Sequence, residues 1–113
     1  MIDIIIPVYN SRKTLPFTLL SICRQTIKDK VRILLVDDCS SDNYDDIIEK
    51  FSSELRIKIV HLDKNVGPGL ARQYGMEHSR SKYICFIDSD DLLNTVDSLE
   101  ILYKEIEKGY DSV

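Results

Sequence analysis

The chain has 113 residues, of which 43% are hydrophobic and 30% charged, and its formal net charge at pH 7 is −4. This length fits a single domain, and the composition is that of a folded globular protein rather than a disordered one. Nucleic-acid-binding proteins carry clusters of basic residues, whereas this chain has a net negative charge, so no nucleic-acid partner is expected. The sequence does not begin with the positively charged region of a signal peptide. It also has no apolar segment of roughly 20 residues, the length needed to span a membrane.

The cysteines are Cys23, Cys39 and Cys85, an odd number without C-x-x-C spacing. This pattern disfavours a disulfide framework or a zinc site and fits a reducing compartment. Cys85 lies in an apolar run, so a core position is expected. We expect a cytoplasmic protein, with a position at the inner face of the membrane as the alternative.

Short apolar, β-branched runs alternate along the chain with segments of helical periodicity. Strands are predicted at 2–8, 31–36, 56–62 and 82–87, and helices at 14–25, 44–53, from the turn at 65–69 to about 78, and at 96–108. Thr14 is the predicted N-cap of the first helix, and Pro16 fits its first turn. Residues 56–62 alternate in the manner of a strand near a sheet edge. Gly109 is expected to end the last helix, with 110–113 beginning another strand, so we expect the N-terminal part of a longer protein.

Strand and helix in strict alternation predict an α/β fold of one domain, 1–113, with a mainly parallel sheet and helices on both faces. Ligands of such sheets bind beyond the carboxyl ends of the strands. Polar side chains are found after each predicted strand, and we expect them to meet at one rim: Tyr9 and Asn10, Asp37 and Asp38, Asp63 and Asn65, and Asp88 to Asp91.

The fourth predicted strand ends in Asp88-Ser89-Asp90-Asp91, where three carboxylates lie within four positions. Mg²⁺ or Mn²⁺ prefers such oxygen ligands and commonly leaves positions for phosphate oxygens. The alternative assigns Asp91 to a helix cap and Asp88 to a turn. An EF-hand is excluded, because its sixth and twelfth loop positions would hold Leu93 and Leu99 instead of Gly and Glu.

The segment from Asn65 to Arg72 places glycines and an arginine at a predicted helix start, which favours an anion. It matches neither the P-loop nor the dinucleotide-binding fingerprint. The Asp37-Asp38 pair resembles the acidic pocket of a response-regulator receiver, which is the alternative of another class. However, a complete strand and helix precede this pair here, which the receiver pattern does not allow. His61 and His78 are expected to be structural or solvated.

Five motifs together resemble the family 2 glycosyltransferases, which are inverting enzymes with the GT-A nucleotide-diphospho-sugar fold. The motifs span nearly the whole chain, in the order Ile4-Ile5-Ile6-Pro7-Val8-Tyr9-Asn10, Leu19-Leu20-Ser21-Ile22 with Gln25-Thr26, Val36-Asp37-Asp38-Cys39-Ser40-Ser41-Asp42, Asn65-Val66-Gly67 with Ala71-Arg72, and Tyr83-Ile84-Cys85-Phe86-Ile87-Asp88-Ser89-Asp90-Asp91. The resemblance implies a nucleoside-diphosphate sugar donor, with UDP as the nucleotide, and a glycan or lipid-linked acceptor.

The resemblance also implies residue roles. Pro7, Val8 and Tyr9 would line the base pocket, and Asp38 would accept a hydrogen bond from the base. Arg72 would steady the base or phosphate. Asp88 would reach the ribose or the metal, and Asp90 would bind Mn²⁺ or Mg²⁺ bridging the diphosphate.

The family's general base normally lies well downstream in the acceptor-binding half, so we expect it beyond Val113. The alternative function is therefore a module that binds a metal and nucleotide sugar without turnover. We also expect a tendency to self-associate through sheet edges and apolar patches.

Overall fold

The computed structural model describes residues 2–26, 28–81 and 83–89. The elements in chain order are β1 (Ile2–Val8), α1 (Leu15–Cys23), a 3₁₀ turn (Lys28–Lys30), β2 (Val31–Asp37), α2 (Asp45–Phe51), β3 (Arg56–His61), α3 (Pro68–His78) and β4 (Tyr83–Phe86). The predicted helix at 96–108, the predicted strand at 110–113, Gly109, Asp90 and Asp91 lie outside the described residues.

The four described strands form one parallel sheet in the order β3-β2-β1-β4. The register places Val8 of β1 beside Asp37 of β2, so these two strands end at the same level. Beyond the strands, Asp38 N–H donates to Val8 O at 2.9 Å and Ile87 N–H donates to Ile5 O at 3.2 Å. Because all strands point the same way, their polar exits share one end of the sheet, as predicted. β3 lies at an edge of this described sheet, which also matches the prediction.

The two faces of the sheet bury different helices. On one face, side chains of β1 and β2 pack with Leu19 of α1 and Phe51 of α2. On the other face, Ile5 and Val36 pack against Ala71 of α3. Helices therefore cover both faces, as the strict alternation of strands and helices predicts.

Several boundaries differ from the predictions at the ends of elements. α1 begins after Thr14 as expected but ends at Cys23 rather than Gln25. The Thr14 hydroxyl donates to Ser11 O instead of capping the helix. β3 ends at His61 rather than Leu62, although Leu62 N–H still donates to Asp37 O at 2.8 Å. Cys85 is buried, and burial raises the pKa of its thiol, as expected of a core residue.

A buried carboxylate closes the amino end of the sheet. Asp3 is 8% exposed and accepts hydrogen bonds from the side chains of Ser79, Ser81 and Arg32. Burial raises the pKa of Asp3, but these three donors and the Arg32 charge outweigh that effect, so the pKa lies below its usual value. The cluster joins the segment after α3 to β1 and β2.

Among the described residues, no helix is long and apolar enough to cross a membrane.

Candidate functional site: a cavity at the carboxyl end of the sheet

A cavity of about 540 Å³ lies where β1, β2 and β4 end and α3 begins. The exit of β1 supplies one wall, and the exits of β2 and β4 with the first turn of α3 supply the rest. Its lining residues are Pro7, Val8, Tyr9, Asn10, Ser11, Thr14, Asp38, Asn65, Gly67, Pro68, Arg72, Asp88 and Ser89. All six described residues of the predicted nucleotide site line this one cavity: Pro7, Val8, Tyr9, Asp38, Arg72 and Asp88.

Asp38 shapes the cavity through the loop that precedes α3. The residue is 3% exposed, and its two carboxylate oxygens accept the backbone N–H groups of Val66 at 2.7 Å and Gly67 at 2.8 Å. Asn65 donates its side-chain amide to the Asp38 carbonyl at 3.2 Å. Gly67 has a φ of 90° and a ψ of 160°, a conformation that is essentially restricted to glycine. The acid and the glycine together fix where α3 starts.

Arg72 and Asp88 form an ion pair at the mouth of the cavity. Arg72 Nη2 donates to Asp88 Oδ1 at 2.5 Å, and the side chains are 35% and 52% exposed. Arg72 is held on the first turns of α3, and Asp88 follows β4. The pair therefore connects the two segments that the sequence assigned to anion and metal binding.

The loops after β1 and β2 are linked to each other by short polar contacts. Asn10 N–H donates to Ser40 Oγ at 2.9 Å, and the Asn10 side-chain oxygen accepts the Ser41 N–H at 3.0 Å. Asn10 itself has a φ of 49°, in the left-handed region that asparagine tolerates. Ser89 Oγ donates to Ser11 Oγ at 2.8 Å, which joins the exit of β4 to the exit of β1. These contacts hold three chain segments around the cavity.

Two acids expected at the rim do not line the cavity. Asp37 is buried, and its carboxylate accepts Ser40 N–H at 2.9 Å and pairs with His61 Nδ1 at 2.7 Å. Asp63 lies beside a separate cavity of about 370 Å³ along α3. His61 thus pairs with Asp37 while its side chain stays 61% exposed, in line with the expectation that it is structural or solvated.

Ser11 and Thr14 also line the cavity, and no sequence motif pointed to them as binding residues. Small polar residues near strand ends are too common for the sequence alone to identify them as part of a pocket.

No group of three or more His, Cys, Asp or Glu side chains able to hold a metal occurs within 2–26, 28–81 and 83–89. The expected second ligand, Asp90, is outside these ranges. Of the two expected metal ligands, Asp88 is the one among the described residues. Its exposed carboxylate lies at the cavity mouth and offers the oxygen ligands that Mg²⁺ or Mn²⁺ prefers.

Comparison with known proteins gives a consistent assignment. The family model "Glycosyl transferase family 2" matches residues 3–113. The chain is 36% identical over 94 residues to the poly(ribitol-phosphate) beta-N-acetylglucosaminyltransferase TarS of Staphylococcus aureus, covering 81% of this chain and 16% of that protein. It is 32% identical to the glycosyltransferase GlyG of Streptococcus pneumoniae, covering 100% of this chain and 38% of GlyG. The chain thus spans well under half the length of these relatives.

Solved structures show the same fold. The crystal structure of S. aureus TarS 1-349 in complex with UDP-GlcNAc superposes with a TM-score of 0.85 at 32% identity, covering 95% of this chain and 31% of that one. The mannosyltransferase PcManGT from Pyrobaculum calidifontis, in complex with GDP-Man and Mn²⁺, superposes with a TM-score of 0.77 over 87% of this chain and 30% of its own. At 22% identity, the second likeness supports the fold alone. The receiver alternative is therefore wrong, and the chain belongs to glycosyl transferase family 2.

Proposed function

We propose that this chain is the donor-binding part of a glycosyltransferase that moves a sugar from a UDP-sugar to an acceptor hydroxyl with inversion, in polysaccharide or glycan biosynthesis. The observation that carries the proposal is the cavity at the carboxyl end of the sheet. Three side chains of suitable chemistry line this 540 Å³ cavity: the exposed ring of Tyr9, the carboxylate of the buried Asp38 and the guanidinium of Arg72. Family membership supports the reaction class.

The base is proposed to lie between Tyr9 and Asp38. Tyr9 is 54% exposed, so its ring is accessible for stacking. Asp38 already accepts two backbone N–H groups, but a carboxylate has about four lone-pair sites and can accept a further N–H from a base. Pro7 and Val8 supply the apolar floor of this half of the cavity.

The diphosphate is proposed to lie toward Arg72 and the start of α3. The N-terminal end of α3 faces the cavity through Gly67 and Pro68, and a helix N-terminus favours negative charge. Arg72 adds a charge-assisted donor. The Arg72–Asp88 pair holds this guanidinium at the cavity mouth before the donor arrives.

Asp88 and Asp90 are proposed to hold Mn²⁺ or Mg²⁺. The exposed carboxylate of Asp88 after β4 suits an ion that keeps open positions for phosphate oxygens. When bound, the ion would neutralise charge that develops on the departing nucleoside diphosphate. The acceptor is proposed to be a glycan or lipid-linked hydroxyl that binds to residues beyond Val113. The general base that deprotonates this hydroxyl is proposed to be one of those residues. This chain alone would then bind the donor without transferring sugar.

Calorimetric titration with UDP in the presence of Mn²⁺ tests the donor site. We expect binding to the unmodified chain and roughly tenfold to hundredfold weaker binding to Arg72→Ala, since a charge-assisted contact contributes about 1.5–3 kcal/mol. Arg80→Ala is the matched control, because Arg80 is exposed and borders a different cavity at the amino end of the sheet. Failure of the unmodified chain to bind UDP, or an equal loss in both variants, would overturn the assignment.

The metal assignment is tested by repeating the titration without Mn²⁺. UDP binding by the unmodified chain should weaken when Mn²⁺ is omitted, and Asp90→Asn should lose this dependence. Asp63→Asn is the control and should keep it, because Asp63 does not line the cavity. Mn²⁺ dependence that survives in Asp90→Asn would contradict the role of Asp90. Sugar transfer by this chain would show that the general base lies within it.

A further inference from the structure

A buried tyrosine hydroxyl lies at the junction of the loops that build the cavity. Tyr44 is 1% exposed and precedes α2. Its hydroxyl accepts the Ser11 backbone N–H at 2.9 Å and lies 3.0 Å from Ser40 Oγ. The ring packs in the core shared by α1, α2 and the sheet, so its position is fixed by packing and only its oxygen reaches the loops.

The direction of the contact between Tyr44 and Ser40 follows from burial. Ser40 is half-buried, so its own hydroxyl proton can reach water, whereas the proton of the buried Tyr44 hydroxyl needs a partner in the protein. Tyr44 therefore donates to Ser40 Oγ and accepts from Ser11. Ser40 Oγ also accepts the Asn10 N–H at 2.9 Å. Each atom in this small network then has a partner.

The network connects every wall of the cavity except α3. Ser11 follows β1 and lines the cavity, and Ser40 lies two residues after Asp38 in the loop that follows β2. Ser11 Oγ accepts from Ser89 Oγ at 2.8 Å, which adds the exit of β4 next to Asp88. Tyr44 itself does not line the cavity. Its single hydroxyl thus acts on the site only through the loops it joins.

We infer that Tyr44 is a positioning residue for the nucleoside diphosphate, a role that rests on the donor site proposed above. By holding the Ser11 loop against the Ser40 loop, the Tyr44 hydroxyl sets the distance between Tyr9 on one wall and Asp38 on the other. Loss of the hydroxyl leaves the Ser11 N–H without its acceptor and removes one of the two donors to Ser40. The loops then satisfy these groups with water, and the base pocket widens.

Tyr44→Phe is the direct test, because it keeps the ring and removes only the oxygen. We expect its affinity for UDP with Mg²⁺, measured by calorimetry, to fall by roughly five- to tenfold, the size of one lost hydrogen bond. Ser79→Ala is the matched control. It removes a hydroxyl that binds Asp3 at the amino end of the sheet, so it should lower the melting temperature and leave UDP affinity unchanged.

A double-mutant cycle separates positioning from general destabilisation. Ser40→Ala removes the other end of the same contact, so UDP affinity in the Tyr44→Phe, Ser40→Ala pair should fall by less than the product of the two single losses. Tyr44→Phe combined with Ser79→Ala should give the Tyr44→Phe loss alone. Failure of the unmodified chain to bind UDP would overturn the proposed function itself. Binding by the unmodified chain with unchanged affinity in Tyr44→Phe, or independent losses in the Ser40 cycle, would overturn only the role of Tyr44.

Discussion

Two buried aspartates lie at opposite ends of the same sheet and are stabilised in different ways. Asp3, at the amino end, accepts hydrogen bonds from the side chains of Ser79, Ser81 and Arg32. Asp38, at the carboxyl end, accepts two backbone N–H groups from the loop that begins α3. Both residues are under 10% exposed. The two residues differ in their hydrogen-bond partners, which are side chains for Asp3 and loop backbone for Asp38.

The partners of Asp3 are side chains that pin one chain segment to the strands. The partners of Asp38 are the backbone of a loop that borders a 540 Å³ cavity, so the same carboxylate shapes a binding wall. A buried acid is therefore not by itself a sign of function. The acid that organises the backbone around an open space is the one expected to affect ligand binding.

The largest expected effect separates these two acids. Asp38→Asn replaces one acceptor oxygen with an NH₂ group, which leaves the N–H of Val66 or Gly67 without a partner. We expect the free energy of unfolding to fall by about 1–3 kcal/mol and UDP affinity to fall at least about tenfold. Asp3→Asn should lower the free energy of unfolding and leave UDP affinity unchanged. Chemical denaturation and calorimetry on both variants measure this, and equal losses of affinity would refute the distinction.

The next effect, on stability and not on UDP affinity, is expected along α3, which runs from the cavity toward the Asp3 cluster. A Cβ on Gly75 would lie 2.6 Å from Ile5 Cγ2, inside the sheet face that α3 covers. Gly75→Ala should therefore lower the free energy of unfolding by about 1–3 kcal/mol, the usual cost of overpacking a core. A Cβ on Gly69, in the first turn, meets nothing within 4 Å. Gly69→Ala should be neutral or stabilise the chain by up to about 1 kcal/mol in urea denaturation, and a loss as large as that of Gly75→Ala would contradict the packing described here.

The smallest effect concerns acid stability at the amino end. Because the folded-state pKa of Asp3 lies below its usual value of 3.8, its stabilising contribution is present above that pH and is lost as the pH falls through the folded pKa. Asp46, paired with Arg12 on the surface, has a pKa lowered to about 2 and acts in the same direction. Melting temperatures between pH 7 and pH 2.5 should fall below about pH 4, and less steeply in Asp3→Asn. Parallel curves for the variant and the unmodified chain would show that Asp3 does not contribute.

Much of this arrangement could be predicted from the sequence, because it depends on periodicity and chain order. The apolar run of β1 and the Gly-Pro start of α3 were placed correctly, and parallel strands bring their polar exits together by geometry. Asp38, Arg72 and Asp88 were therefore found at one cavity. Their chemical roles and that of Asp90 remain predictions.

Side-chain direction at the strand exits could not be predicted. Asp37 was expected at the rim, but successive residues of a strand point to opposite faces, and it turns to His61 while Asp38 faces the cavity. Asp63 lies at a bend in the chain after β3 and borders a different cavity. The link from Tyr44 to Ser11 spans 33 positions, and no local pattern in the sequence predicts such a contact.

Backbone amide NMR shifts on titration with UDP and Mg²⁺ test most directly whether a nucleoside diphosphate binds at the carboxyl end of this sheet. We expect the amides of Tyr9, Gly67 and Ser89 to shift as UDP is added, while those of Ser79 and Ser81 at the other end stay in place. Shifts confined to Ser79 and Ser81, or no shifts at saturating UDP, would contradict this expectation.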